Sequence, residues 1–450
     1  MASPIKTLRA DVVIAGSGPG GATMARELAR KGKKVIVCEA GRHNRHFGLT
    51  VLTTGMMDRL GFTFSQEGTW VVRPKTLGGA SVVFCGTAFK PPKWLKDRYD
   101  IDLTPEIEEL YAEIPIRTLP DSLVGPAARR IMDAARELGF EWNLLDKWIR
   151  PEKCKPNCGG CFLGCRHGAR WTAREYIQEA ERHGATVLLK TRVDRVLTEG
   201  GKAIGVLASA SSGDIRIEAD RVILSAGGQG TPPILQRSGL YDAGRGLFAD
   251  PLWLVVGPAD VQGSKYDIPM TAGTNLEQDG IVMTDALSPP MFYAGLHAFN
   301  GLQGIASLPK ALKNYTRTLG IMVKVRDGLE GRVNLDESFS KPLDSDVWAK
   351  LNKGAVMAEQ ILLKAGVKRE DLMKTCILAA HPGGTVRIGE LLDRDCQTEI
   401  RGCYCMDASV LPEPWGLPPT VTIVALAKRL AKRLFTTQEA ETASRVAGRV

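Results

Sequence analysis

The sequence lacks long apolar runs and has no leader-like start. No apolar stretch reaches the roughly 18 residues that a membrane-spanning helix requires. The opening residues, MASPIKTLRADVVIAG, lack the basic stretch followed by a long apolar segment that marks a secretory signal. We therefore expect a cytoplasmic protein without a transmembrane segment.

Aromatic residues and clustered charge are also scarce. Aromatic side chains make up 6% of the chain, and its net charge of +9 comes from basic residues that are scattered along it. A nucleic-acid-binding surface needs basic residues clustered on one face, so we expect no nucleic acid partner. A scattered basic surface is usually only solvated, but it also favours acidic substrates or an acidic redox partner.

The composition is otherwise that of a folded, globular chain. Of its 450 residues, 44% are hydrophobic and 24% are charged, which excludes disorder as the main state. This length allows two large domains or three smaller ones.

A glycine-rich loop follows the first predicted strand. Gly16, Gly18 and Gly21 form a G-x-G-x-x-G pattern that leads into an amphipathic helix, and Glu39 ends the next strand. Such glycines permit a tight turn, the close approach of a pyrophosphate and packing of the helix on the sheet. The acidic residue accepts hydrogen bonds from ribose hydroxyl groups. The loop predicts a dinucleotide site without deciding between FAD and NAD.

Periodicity and turn signals organise the rest of the chain. Strand-like runs that return within 221–239 and 403–412 favour an FAD-binding domain assembled from distant segments. Helices are predicted over 104–114, 124–139 and 344–366. Residues 251–340 alternate strand-like runs with loops, and Asp327-Gly328 predicts a hairpin there.

Four of the ten cysteines lie in one short segment, CKPNCGGCFLGC. Cys154, Cys158, Cys161 and Cys165 have the spacing C-x3-C-x2-C-x3-C, and intervening glycines permit tight turns. A structural zinc site usually has two C-x2-C pairs separated by a longer loop, whereas compact spacing is typical of ferredoxins. An iron–sulfur cluster ([4Fe–4S] or [3Fe–4S]), a zinc ion, and thiols or disulfides without metal are the three interpretations.

Several ordered segments make the chain resemble the glucose–methanol–choline (GMC) oxidoreductases. The glycine loop and Glu39 resemble the N-terminal FAD signature of that family. Five later segments of the chain resemble further motifs of the family: LGGASVVFCGTAF (77–89), SAGGQGTPPILQRSG (225–239), GRVNLD (331–336), HPGGTVRIG (381–389) and MDASVLPEPWGLPPTVTIVALAKRLA (406–431). The resemblance covers most of the chain and depends on the order of the motifs together.

This resemblance implies FAD as the cofactor and transfer of a hydride from an alcohol carbon to flavin N5. His381 lies where the family has a histidine that acts as the base, and its unperturbed pKa of about 6.5 suits that role. Asp407 lies where an acidic residue contacts the ribityl–phosphate chain. Further flavin contacts are implied for Gly78, Gly79, Ser81, Pro419 and Thr420. A helix starting at Thr420 would direct its N-terminus at the flavin.

The cysteine segment resembles a feature of some GMC-like dehydrogenases, which carry an iron–sulfur cluster beside the flavin. The resemblance therefore implies an iron–sulfur branch of the family, with Cys154, Cys158, Cys161 and Cys165 as the metal ligands.

The chain also departs from the family pattern. Pro418 stands where the family has the Asn or His that is its second catalytic residue, and proline offers no polar side chain. Phe84-Cys85 stands where an Asn is common, and the chain is shorter than most members. Ordinary alcohol oxidation by O₂ does not follow from this pattern.

The expected fold class is α/β, with a discontinuous Rossmann-like FAD-binding domain and an α+β substrate domain that contains an antiparallel sheet. We assign residues 1–100, 185–250 and 376–450 to the FAD-binding domain and residues 251–375 to the substrate domain. Residues 101–184 form a helical excursion that carries the cysteine cluster.

Three functions fit these features. The first is an FAD-dependent dehydrogenase that oxidises a C–OH, or a related activated C–H, of a small molecule. It would release electrons singly, through the cluster, to a protein or quinone-linked acceptor. The second is a flavin-dependent reductase of a double bond that is fed through the cluster. The third is a non-catalytic electron-transfer subunit, against which the substrate domain and His381 argue.

Overall fold

A computed structural model of the chain describes residues 5–44 and 57–447. The strands are β1 Lys6–Ala15, β2 Val35–Glu39, β3 Met57–Phe64, β4 Trp70–Pro74, β5 Asn143–Leu144, β6 Thr186–Leu189, β7 Thr191–Glu199, β8 Lys202–Ala210, β9 Gly213–Leu224, β10 Arg245–Leu247, β11 Pro251–Pro258, β12 Ala272–Leu276, β13 Ile281–Asp285, β14 Thr318–Val325, β15 Gly331–Val333, β16 Phe339–Ser340, β17 Met373–Lys374, β18 Leu378–Ala379 and β19 Cys403–Cys405. The helices are α1 Pro19–Arg30, α2 Trp94–Tyr99, α3 Thr104–Glu113, α4 Pro126–Glu137, α5 Ala173–Arg182, α6 Thr231–Arg237, α7 Pro290–Ala298, α8 Gly301–Asn314, α9 Ser345–Lys364 and α10 Thr420–Ala447.

The first sheet has a parallel centre that is built from distant parts of the chain. Its strand order is β6-β2-β1-β9-β8-β7, and β19 also pairs with β9. Strands β6, β2, β1, β9 and β19 run parallel to their neighbours, whereas β9, β8 and β7 form an antiparallel meander. The carboxyl ends of β1, β9 and β19 therefore meet at one edge of the sheet, which is where such folds bind nucleotides.

The second sheet is mostly antiparallel and has the order β3-β4-β18-β11-β14-β13-β12-β5, with β17 beside β11. One face packs on α4 and α9 through Trp253 and Val255. The opposite face, which carries Leu252 and Leu254, is covered by α7 and α8. Alternation of side chains along β11 thus gives two separate cores on the two faces.

Three helices that the sequence predicts are present as α3, α4 and α9. Helix α9 begins after Asp344, whose carboxylate accepts a hydrogen bond from the backbone N–H of Val347 at 2.8 Å. Such a side chain satisfies a backbone donor that the first helical turn leaves unpaired.

Two features of residues 251–340 differ from the sequence prediction. Helices α7 and α8 occupy a part of this range that was expected to contain only strands and loops. The hairpin predicted at Asp327-Gly328 is wrong, because β15 pairs with β10 and β16 rather than with β14. The physical reason is that the Asp327 carboxylate is buried, where it accepts hydrogen bonds from the backbone of Ala249 and Asp250.

Among the described residues, no helix combines the length and the apolar character that crossing a bilayer would require.

Candidate functional site

The glycine loop between β1 and α1 has the geometry of a phosphate-binding turn. Gly16 has φ of +100°, and a Cβ atom there would lie 2.2 Å from Ser225 O. A Cβ atom on Gly21 would lie 2.1 Å from Gly16 O, so both positions exclude larger residues. At Gly18, by contrast, a Cβ atom would meet nothing within 4 Å. The loop is therefore closed towards the protein and open at Gly18, which is what the approach of a pyrophosphate requires.

Glu39 lies at the end of β2 and holds this loop in place. Its carboxylate accepts hydrogen bonds from Ser17 N at 3.1 Å, Ser17 Oγ at 2.5 Å and Gly41 N at 2.7 Å. Burial raises the pKa of Glu39, and these hydrogen bonds oppose that shift. The residue predicted to bind ribose is thus also a structural part of the loop.

The segment 78–81 packs directly against the glycine loop. Gly78 N donates to Ser17 Oγ at 3.0 Å, and a Cβ atom on Gly79 would lie 2.9 Å from Gly18 Cα. Ser81 Oγ donates to Gly78 O at 2.6 Å and accepts from Ala173 N at 2.9 Å. Ser81 therefore joins this segment to the start of α5, which follows the cysteine segment.

Asp407 joins the C-terminal segment to the segment after β9. Its carboxylate accepts hydrogen bonds from Gly227 N at 2.8 Å and from Thr231 Oγ1 at 2.6 Å. It also accepts from Ser409 N at 2.8 Å. The adjacent Met406 O lies 1.9 Å from the position of a Cβ atom on Gly20, so the same segment packs on the glycine loop.

The C-terminal helix α10 begins at Thr420, as the sequence predicts. Pro419 is buried and Thr420 is half-buried at its N-terminus. The positive end of the helix dipole lies at these residues.

His381 lies beside a buried ion pair. Its Nδ1 is 2.9 Å from Asp250 Oδ2, and Lys324 Nζ lies 2.9 Å from the same oxygen atom. The side chains of Asp250 and Lys324 are 0% and 1% exposed, whereas that of His381 is 22% exposed. A carboxylate fixes the proton of the ring on Nδ1 and leaves the lone pair on Nε2. Nε2 has no hydrogen-bond partner among the described residues.

The electrostatics of this group favour a neutral imidazole. Burial lowers the pKa of His381 below its usual value of 6.5, and the Lys324 ammonium adds to that effect while Asp250 opposes it. Burial alone would raise the pKa of Asp250, but Lys324 and the His381 hydrogen bond bring it below its usual value. Above pH 6.5, His381 is therefore able to accept a proton.

The same ion pair holds the loop that precedes Pro418. Asp250 Oδ1 accepts a hydrogen bond from Gly416 N at 3.0 Å, and Lys324 Nζ donates to Gly416 O at 2.5 Å. Pro418 itself is half-buried and provides no polar side chain. Sequence reasoning missed Asp250 and Lys324, because the contacts that bring them to His381 arise from the pairing of β11 with β14.

His381 also lies close to a predicted flavin-binding segment. A Cβ atom on Gly228 would lie 2.1 Å from the carbonyl oxygen of Pro382. Thr385 Oγ1 donates to Gly228 O at 2.7 Å. The histidine segment therefore packs against the turn that leads into α6.

The structure keeps the four clustered cysteines together without assembling a metal site. Cys161 is buried, Cys154 and Cys165 are half-buried, and Cys158 is exposed. All ten cysteines of the chain are free thiols, so the disulfide interpretation is not supported. Burial, followed by the proximity of the three other thiols, raises the pKa of Cys154 to about 12.

No group of three or more His, Cys, Asp and Glu side chains within residues 5–44 and 57–447 converges as it would around a metal ion. Two of the four thiols are turned towards the backbone instead. Cys154 Sγ lies 4.0 Å from Lys155 O, and Cys165 Sγ accepts from Arg170 N at 3.5 Å. The metal ligands predicted from the spacing are therefore neighbours, but their sulfur atoms do not form a ligand set here.

Two buried cations lie against the cysteine segment. Lys147 is 0% exposed and donates to Thr87 Oγ1 and to the carbonyl groups of Pro269 and Met270 at 2.9–3.1 Å. Arg170 is 2% exposed and donates to the carbonyl groups of Ser81 and Val82 at 2.7 and 2.6 Å. Neither cation forms an ion pair with a carboxylate of the described residues.

The acidic groups nearest to these cations are mostly thiols. Burial lowers the pKa of Arg170, and its interactions with Cys161, Cys165 and Cys85 oppose that shift. Burial also lowers the pKa of Lys147, and Cys85, Cys161 and the carboxyl group of Asp285 oppose that shift. Buried cations are costly unless an anion balances them. Burial raises the pKa of the Cys161 thiol, and the charges of Arg170 and Lys147 oppose that shift.

Three buried N–H groups of this neighbourhood lack an acceptor among the described residues: Arg170 Nε, Trp148 Nε1 and Trp171 Nε1. The two indole rings are stacked with their centroids 4.7 Å apart. Unpaired buried donors are uncommon in native proteins, and a bound group is one of the usual reasons for them.

The family of the chain follows from comparison with known proteins. The N-terminal model of the GMC oxidoreductase family matches residues 11–257, and its C-terminal model matches residues 330–427. The first match alone covers more than half of the chain, so the chain belongs to the GMC oxidoreductase family.

Curated relatives align with nearly the whole chain. An uncharacterized GMC-type oxidoreductase of Mycobacterium tuberculosis is 27% identical, over 94% of this chain and 75% of its own length. A long-chain-alcohol oxidase of Arabidopsis thaliana is 25% identical, over 95% of this chain and 68% of its own length.

Solved structures have the same fold. Pyridoxine 4-oxidase from Mesorbium loti has a TM-score of 0.71 at 17% identity, covering 94% of this chain and 98% of that one. Formate oxidase from Aspergillus oryzae, whose FAD modification has been studied, has a TM-score of 0.69 at 15% identity, covering 97% and 100%. The expected fold class is confirmed: a Rossmann-like FAD-binding domain combined with a substrate domain that contains a sheet.

The chain is thus an FAD-dependent oxidoreductase of the GMC family. The residues assigned to individual roles, the domain boundaries and the iron–sulfur branch stay predictions.

Proposed function

We propose that the protein is a dehydrogenase that oxidises the C–OH group of a small organic alcohol, with His381 accepting the hydroxyl proton. The observation that carries this proposal is the hydrogen bond of 2.9 Å between His381 Nδ1 and the buried Asp250 carboxylate. It leaves Nε2 as the proton acceptor on a ring whose orientation is fixed. The alcohol class is supported by the named activity of the Arabidopsis relative.

The residues around the glycine loop fit FAD. Gly16, Gly18 and Gly21 would hold its pyrophosphate, Glu39 its ribose, and Gly78 and Gly79 would approach the flavin side. Bound FAD supplies the hydride acceptor for the alcohol carbon. Within this site the protein has two tasks, which are to position the alcohol and to remove its hydroxyl proton through His381 Nε2.

The proposal includes an iron–sulfur cluster at Cys154, Cys158, Cys161 and Cys165, most simply a [4Fe–4S] cluster. Its support is the compact spacing together with the burial of Lys147 and Arg170, neither of which forms an ion pair with a described carboxylate. The two cations would balance a negatively charged centre made of thiolates and iron. Such a cluster, held by these four cysteines, would supply one-electron transfer to a protein or quinone-linked acceptor. Because thiolate ligands require reducing surroundings, the cytoplasm is the proposed location.

Anaerobic titration of the purified protein with primary and secondary alcohols tests the reaction. Loss of the flavin absorption bands on addition of an alcohol alone supports the dehydrogenase. The reductase would instead be supported if no alcohol reduced the flavin. In that case, the flavin is first reduced chemically, and a compound with an activated double bond should then reoxidise it. The reductase is the second candidate because Pro418 provides no polar side chain at the position of the family's second catalytic residue.

Replacement of His381 tests its role. His381→Ala should lower turnover by about 10²–10⁴, which is the usual contribution of a general base. FAD content should stay at the wild-type level, because the glycine loop does not contact this ring. Thr385→Val, which removes the hydrogen bond to Gly228 in the same segment, is a matched control for disturbance of the segment. Unchanged turnover in His381→Ala would contradict the proposed role.

A further inference from the structure

We propose that the exposed side of the cysteine segment is the docking surface for an acidic protein that carries one electron at a time. This inference rests on the proposed function, because it assigns the acceptor that takes electrons from the cysteine segment. The surface is defined by Lys153, Lys155, Arg166 and Lys265, and we call it the basic rim.

Three residues of the basic rim adjoin a cysteine in the chain. Lys153 and Lys155 flank Cys154, and Arg166 follows Cys165; all three cationic side chains belong to exposed residues. The second cysteine of the segment, Cys158, is itself exposed. The basic rim therefore surrounds the point at which the cysteine segment reaches solvent.

Lys265 is distant in sequence from the cysteine segment and belongs to the basic rim because its backbone packs against the tip of that segment. Gly159, next to Cys158, has φ of +57°, and a Cβ atom there would lie 1.9 Å from Lys265 O. Gln262 Nε2 also donates to Asn157 Oδ1 at 3.3 Å. The tip of the cysteine segment is thus held against the backbone of residues 262–265. The Lys265 ammonium lies over the rings of Tyr266 and Tyr315, at 4.9 and 5.6 Å from their centres.

The charges of the basic rim are not balanced by the protein. None of its four cations forms an ion pair with a described residue, although many other surface cations of the chain do so. Glu152 is the only acidic residue within 151–170. Unpaired cations around an exposed centre attract an acidic partner and orient it before contact.

The electron balance is compatible with a carrier of this kind. Oxidation of R₂CH–OH to R₂C=O releases two electrons and two protons. A carrier that accepts one electron must therefore dock twice in each turnover. Repeated docking needs fast release of the carrier. A surface that binds through exposed charges, which salt screens, permits faster release than one that binds through a large apolar contact.

Direct binding tests the basic rim. The probe is an oxidised plant-type [2Fe–2S] ferredoxin, which is acidic, and basic cytochrome c is the probe of opposite charge. Binding is measured by biolayer interferometry with anaerobically purified protein at low and at high ionic strength. We expect the wild-type protein to bind ferredoxin, to lose this binding at high salt, and not to bind cytochrome c.

Charge reversal provides the matched comparison. Lys153→Glu/Lys155→Glu should weaken ferredoxin binding by roughly tenfold or more. Lys202→Glu/Lys368→Glu changes the net charge equally at two exposed lysines outside the basic rim and should leave binding within about twofold. Equal effects in the two double variants, or equal binding of both probes, would overturn the docking surface.

The outcome is separable from that of the proposed function. Iron, acid-labile sulfide and reduction of the flavin by alcohol are measured on the same preparations. If these are present and charge reversal has no effect, only the docking surface fails. If iron is absent, the cluster fails whatever the binding result.

Discussion

At the scale of single residues, the site is organised around the Asp250 carboxylate. It accepts hydrogen bonds from His381, Lys324 and the backbone of Gly416, so one buried group fixes the histidine and the loop before Pro418. Asp250 has φ of +54°, a strained conformation for a residue with a side chain. We interpret this arrangement as a positioning device for a site in which the usual second polar side chain is replaced by proline.

Removal of the Lys324 charge should shift the pH profile upward. The ammonium helps to hold the pKa of His381 below 6.5, and a base is active only above its pKa. In Lys324→Met, the acidic limb of kcat/KM should therefore move to higher pH. A profile of kcat/KM against pH, measured with a reactive alcohol, checks this. Lys350→Met, at a partly exposed lysine of α9, is the control and should leave the limb in place.

Removal of the Asp250 charge should act in the opposite direction. Asp250 raises the pKa of His381, so the acidic limb in Asp250→Asn should move to lower pH while kcat falls, because the ring loses its orientation. Asp250→Glu should restore part of kcat if the carboxylate is what matters. A fall in activity with an unmoved limb in both variants would show that Asp250 acts only on the fold.

Sequence reasoning found His381 but missed the partners that position it. His381 belongs to a recognisable motif, whereas Lys324 lies in a buried apolar strand that gives no sign of a role. Its approach to Asp250 follows from the pairing of Leu252 with Lys324 across β11 and β14. Contacts of this kind depend on strand register, which local sequence does not specify.

At the scale of elements, the glycine loop illustrates what local sequence predicts well. The strand, turn, helix and second strand all lie within residues 6–39, so they form through contacts between residues that are close in sequence. All of these predicted elements are present. Helices α7 and α8 were missed because proline and glycine at 289–290, 295, 301 and 304 resemble loop signals. Packing on the second sheet outweighs those local preferences.

Replacement of Gly16 should weaken FAD binding. Gly16→Ala places a Cβ atom 2.2 Å from Ser225 O at φ of +100°, so the loop must move. Gly32→Ala is the matched control, because Gly32 also has positive φ, at +73°, but a Cβ atom there meets nothing within 4 Å. We expect flavin released by acid precipitation to fall severalfold in Gly16→Ala only. Equal loss in both variants would indicate that strain in the fold, and not the loop, determines FAD content.

At the scale of the whole molecule, the cysteine segment is physically joined to the predicted flavin segment. Arg170 N donates to Cys165 Sγ, and the guanidinium group of the same residue donates to the carbonyl groups of Ser81 and Val82. It also lies 4.7 Å from the centre of the Phe84 ring. One buried residue therefore contacts both parts, which supports a function in which they exchange electrons.

Loss of one cysteine ligand should remove iron while sparing FAD. Anaerobically purified wild-type protein should contain roughly three to four irons per chain, with acid-labile sulfide and broad absorption near ~400 nm. Cys165→Ser should lose most of this iron, because a serine oxygen is a poorer ligand than a soft thiolate. Cys376→Ser is the matched control, since Cys376 is also a free, half-buried thiol but lies outside the segment. FAD content should be unchanged in both variants, because neither cysteine contacts the glycine loop. One zinc per chain without iron would identify the segment as a structural metal site, and electrons would then need another exit from the flavin.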